Sequence, residues 1–94
     1  MRFAHSAFKH GITEAQIRYV IAEYGPADNA ELASNPDAVG MLYVGDDQRG
    51  RALEIIGVII DLVEVEQDLL IIHAMPLRPR YQREYERILQ ERWG

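Results

Sequence analysis

The sequence predicts a small α+β protein: N-terminal helices, a three-stranded antiparallel sheet meander and a C-terminal helix. Three observations carry this. The 94 residues suffice for one domain with a thin core, so 1–94 reads as a single domain. Two stretches, near the start and at the end, place apolar residues at helical spacing. Between them, three apolar runs are joined by short polar turns, the signature of a hairpin-connected sheet.

Residues 2–9 read as a short first helix. Phe3, Ala4, Ala7 and Phe8 share one side, and His5 and Lys9, four apart, share another. His10-Gly11 ends it, with glycine accepting the left-handed cap. The second helix begins at Thr13, whose hydroxyl pairs with Gln16 three residues on as a capping box. Ile17, Val20, Ile21 and Tyr24 form its core stripe, and Gly25-Pro26 stops it. Residues 25–39 read as loop, with one helical turn over residues 30–33 the only regular element expected there.

The first strand is expected over Gly40–Val44 and the second over Arg51–Leu62, separated by the turn Asp46–Gly50. Gly57 marks a bulge or a close backbone approach. Glu64–Asp68 reads as a turn, and Leu69–Ala74 as the third strand. The second and third strands are apolar on both faces, so each face needs a cover. The last helix runs from about Pro79 to Arg92, proline suiting its first turn. Tyr81, Tyr85, Ile88 and Leu89 form its stripe, closed by Trp93.

The net charge is −5, unevenly placed. Between Glu23 and Asp68 the acidic residues face only Arg49 and Arg51, while both ends are mildly basic. An acidic whole disfavours general nucleic-acid affinity, though a local basic edge can still hold phosphate. With no cysteine, disulfides and thiolate metal sites are excluded and a reducing cytoplasm is the expected compartment. No apolar run reaches the roughly 20 residues of a membrane span, and Met1–His5 does not resemble a signal peptide.

No phosphate-binding loop, nucleophile elbow, paired-histidine zinc motif or metal loop occurs, so no metal and no cofactor is expected. Acid–base chemistry remains. His73 ends the third strand, and simple alternation points it with Leu69 and Ile71. Imidazole suits proton transfer in RNA cleavage. Arg78 and Arg80 follow it and could hold a phosphate. Tyr81 could stack on a base. His5 and Lys9 form a second pair able to reach the same groove. Plainer accounts stand beside each: a structural strand-end histidine, tyrosines packing the core, arginines pairing with glutamates on a solvated helix face, and Arg49 and Arg51 as turn charges.

The order of elements, with Lys9-His10-Gly11, the stretch from Gly45 to Leu53 and the stretch from Ile71 to Tyr85, resembles the BrnT-like toxins of type II toxin–antitoxin modules, within the broader RelE-like ribonuclease fold. The resemblance implies a RelE/BrnT-like fold, a cognate antitoxin as partner, and RNA or the ribosome as target. It places Lys9, Arg49, Arg51 and Arg80 as basic groups lining a groove. Such toxins usually carry Ser-Ala-Arg-Arg-Ala where this chain has His73-Ala74-Met75-Pro76-Leu77. The reading is therefore a metal-independent mRNA endoribonuclease, with His73, Arg78, Arg80 and Lys9 catalytic and His5, Arg49, Arg51 and Tyr81 on the RNA. The alternative is a non-catalytic protein-binding module acting through a partner or a homodimer. A weaker third is a small-molecule enzyme using His5 and His73. No membrane partner is expected.

Overall fold

Three long runs rich in isoleucine, leucine and valine pair into the centre of the protein. A computed structural model describes residues 1–30, 32, 38–62 and 65–93. Strand β1 is Arg2–Phe3, and helix α1 is Glu14–Tyr24. Strands β2 (Asp28–Ala30), β3 (Gly40–Asp46), β4 (Ala52–Leu62) and β5 (Val65–Pro76) follow, then helix α2 (Gln82–Trp93). Single 3-10 turns cover His5–Phe8 and Pro79–Tyr81. The strands form one sheet in the order β1-β5-β4-β3-β2.

This corrects the expected three-stranded antiparallel sheet with N-terminal helices. The sheet has five strands and is mixed, because β1 runs parallel to β5. Residues 2–9 do not form a helix: Arg2 and Phe3 pair with Leu70 and Ile71, and only a 3-10 turn follows. In that turn three residues complete a revolution, so His5 and Lys9 lose the i, i+4 relation that put them on one helical face. Part of the expected loop is also strand, with Asp28–Ala30 pairing against Gly40–Leu42. The helical turn expected over 30–33 lies largely outside the described residues. The expected Glu64–Asp68 turn is corrected too, since β5 already begins at Val65.

Helix α1 covers one face of the sheet. Ile17 and Val20 pack with Tyr43, Leu53, Ile55, Ile71 and Ala74. Thr13 and Gln16 exchange both capping-box bonds, 3.2 and 2.8 Å, which satisfies two N–H groups at the helix start. Helix α2 covers part of the other face, with Ile88 against Leu42 and Val44, flanked by Ile56, Leu77, Tyr81 and Tyr85.

The β4–β5 ladder slips between Ile56 and Gly57, where Ile56 faces His73 but Gly57 faces Ile71. Ile72 is the extra residue of a β-bulge. The Ser6 hydroxyl donates to the Ile72 carbonyl at 2.6 Å and so satisfies a group the bulge takes from the ladder. The bulge inverts the expected orientation of His73. Ile71 and Ala74 both enter the α1-side core, and His73 pairs across from Ile56 on the α2 side.

Candidate functional site

Glu54 sits in the apolar run of β4 between Leu53 and Ile55, and period-two alternation turns it away from the α1-side core. It is completely buried. A buried carboxylate is tolerated only when charge and hydrogen bonds answer it. Here the His73 Nε2 lies 2.9 Å from Oε2. The Arg78 backbone N–H donates to Oε1 at 2.8 Å, and its Nε and Nη2 donate to Oε2 at 3.0 and 2.7 Å. Burial pushes the Glu54 carboxyl upward, but the Arg78 guanidinium and the His73 ring outweigh it and hold the pKa below the ordinary value. The same ion pair raises Arg78.

Arg78 is placed by its neighbours. It precedes Pro79, which disfavours helical backbone at Arg78, and it is extended at φ −97° and ψ 156°. That conformation returns both its N–H and its side chain to Glu54. The backbone N–H of Leu77 donates to the Ala52 carbonyl at 3.0 Å, fastening the exit of β5 to the start of β4.

His10 completes the cluster. Its ring lies edge-on to His73 with centroids 5.9 Å apart. His73 keeps about a quarter of its side chain exposed (23%) and Arg78 somewhat more (39%), so a ligand can reach both. When anionic Glu54 accepts from the Nε2–H of neutral His73, the ring's Nδ1 lone pair is left free to accept a proton. Two imidazoles in edge contact, one of them joined through Glu54 to a guanidinium, can take a proton, give one and hold an anion.

The other expected residues fall at different distances from this centre. Arg80 is exposed and lies over the Tyr81 ring at 4.9 Å, with Arg78 at 6.0 Å. Tyr81 also packs against the α2-side core, so its ring is already in contact on several sides. His5 and Lys9 are exposed on and beside the N-terminal 3-10 turn. Arg49 and Arg51 lie at the β3–β4 turn. His10 and Glu54 were missed from sequence. Glu54 did leave a signal, as the one charged residue between Leu53 and Ile60.

Among the described residues, no three His, Cys, Asp or Glu side chains cluster to hold a metal ion. No helix of the described residues is long and apolar enough to cross a membrane. The chain matches no protein-family model, no curated protein and no solved structure.

Proposed function

We propose that the protein is an RNA endonuclease acting as the toxin of a type II toxin–antitoxin module. The observation that carries this is the His73 ring bonded to buried Glu54, with the His10 ring beside it and Arg78 bound to the same carboxylate. The ribose 2′-oxygen attacks the adjacent phosphorus as His73 Nδ1 takes the hydroxyl proton. The bond from phosphorus to the 5′-oxygen breaks, and protonated His10 gives that leaving oxygen its proton. The products are a 2′,3′-cyclic phosphate and a free 5′-hydroxyl. Arg78 Nη1, which is not among the Glu54 bonds, is available to the phosphoryl oxygens. Glu54 orients the His73 ring, a role a carboxylate plays beside a catalytic imidazole. Toxin context rests on the sequence resemblance alone.

The test is cleavage of single-stranded RNA by purified protein, with a matched 2′-deoxy strand as control. Cyclic-phosphate ends, their absence from the deoxy strand, and a loss of about 10²–10⁴-fold in His73→Ala and His10→Ala support the reading. Intact RNA with the wild-type protein, together with normal growth on its expression, sinks it.

A second reading is favoured by one observation. Glu54 engages three Arg78 donors and neutralises the guanidinium in this arrangement. On that reading the cluster is structural and the protein works by binding a partner or a second copy. A strict monomer in light scattering with no copurifying protein counts against it.

A further inference from the structure

One end of the sheet carries a cleft of about 440 Å³ that the catalytic reading does not use. Its walls are the segment entering α1, with Gly11, Thr13 and Gln16, and the β3–β4 turn, with Gln48, Arg49 and Arg51. Asp47 fixes the shape of this turn. Buried Asp47 accepts the backbone N–H groups of Arg49 and Arg51 at 2.9 Å each, the Gln16 amide at 2.9 Å and Arg51 Nε at 3.2 Å. Gly50 takes the positive φ of 81° that closes the turn.

Charge in the cleft is net positive at its mouth. Asp47 is fully engaged by those four donors, and Glu14, at the start of α1, pairs with Arg18 on the helix surface. Arg51 uses Nε for Asp47, while most of its side chain is exposed (64%). Arg49 is exposed and has no carboxylate within ion-pair distance among the described residues. Two guanidinium groups on a fixed turn facing polar side chains suit an oxyanion with several acceptors.

The cleft is joined to the histidine cluster through the chain. Gly11 lines it, and the preceding residue, His10, carries the ring that meets His73. We propose that this cleft binds a backbone phosphate of single-stranded RNA, flanking the phosphate held at His73 and His10. The inference deepens the nuclease reading and rests on it for the choice of RNA. An isolated phosphate or mononucleotide offers the same oxyanion, but it cannot reach both positions.

The test is fluorescence anisotropy with a labelled, all-2′-deoxy single-stranded oligonucleotide, which lacks the attacking hydroxyl and stays intact. Arg49→Glu is expected to weaken binding more than tenfold, and Arg49→Ala several-fold, with a shallower dependence on salt by about one phosphate contact. The Arg49 side chain bonds nothing in the Asp47 web, so an unchanged unfolding midpoint should accompany both variants. Arg83→Ala, an exposed arginine of α2, serves as control and should bind like wild type. Equal affinity in Arg49→Glu and wild type overturns the proposal. So does binding of inorganic phosphate as tight as that of the oligonucleotide, which would mark an isolated anion site. Arg49-dependent binding by a wild-type protein that cleaves no RNA would leave this cleft standing and remove the nuclease reading.

Discussion

Glu54 and His73 lie 19 residues apart in sequence and 2.9 Å apart in the fold, on neighbouring strands of the sheet. Arg78 closes the same carboxylate from the other side. The charge is the reason the group persists in an apolar strand. Glu54→Gln keeps the volume but strands a guanidinium and an imidazole against a neutral amide. A loss on the order of 3 kcal/mol is expected in urea unfolding, since breaking a buried pair leaves the partner's charge uncompensated. A change below about 0.5 kcal/mol would mean that water reaches the cluster freely.

Asp47 makes the acid response of the fold specific. Burial raises its carboxyl, but the backbone N–H of Arg51, the Gln16 amide, the Arg49 N–H and the Arg51 side chain lower it further, to about 2. A depressed folded-state value stabilises the protein above the unfolded carboxylate's titration and loses that contribution as pH falls through the folded value. Stability should therefore drop by on the order of 2 kcal/mol between about pH 4 and pH 2, beyond the loss shown by Asp47→Asn. Parallel acid titrations of the two proteins by circular dichroism would contradict this.

What was legible in the sequence was local. The Thr13–Gln16 capping box spans three residues, and its chemistry is complete within α1. Gly57 marked the register shift because a Cβ there would lie 2.7 Å from Leu69 Cδ1. What escaped depends on distant partners. Strand β1 is two residues long and exists only through β5, with the Ala4 N–H also donating to the Ile71 carbonyl at 2.9 Å. Its apolar pattern alone is equally consistent with a helix. His73 was found as a residue but placed on the wrong face, because one bulged residue reverses alternation. His10 looked like punctuation before Gly11 until the fold carried it to β5.

Gly45 tests how α1 is seated. The glycine is buried in β3, and a Cβ there would collide with the ring of Tyr24, the last residue of α1. The Tyr24 ring is also covered by the Arg92 guanidinium at 4.6 Å, so it has little room to withdraw. Gly45→Ala should cost about 2 kcal/mol or more, the range of an overpacked core. Gly57→Ala should cost less, because the nearest atom it meets is the tip of a flexible leucine. The reverse order in chemical denaturation would show that Tyr24 repositions easily.

The two ends of α2 are held differently, and the N-terminal half depends on Tyr85. Its hydroxyl donates to Asp46 Oδ1 at 2.6 Å, tying the helix to the end of β3. Burial and the Asp46 carboxylate push the Tyr85 phenol up to about 12, so it remains a donor throughout the neutral range. Midway along, Arg87 donates to the Ala27 carbonyl, and at the far end Arg92 donates to the Glu23 carbonyl and carboxylate. These are exposed contacts on long side chains and each contributes little. Tyr85→Phe removes one charge-assisted bond while keeping the ring in its apolar setting. A loss of about 1.5–3 kcal/mol is expected, with hydrogen exchange rising first in the opening turns of α2. Arg92→Ala should change stability by less than about 1 kcal/mol. If the two variants prove equally costly, the helix is held by its exposed ion pairs and not by the Tyr85 bond.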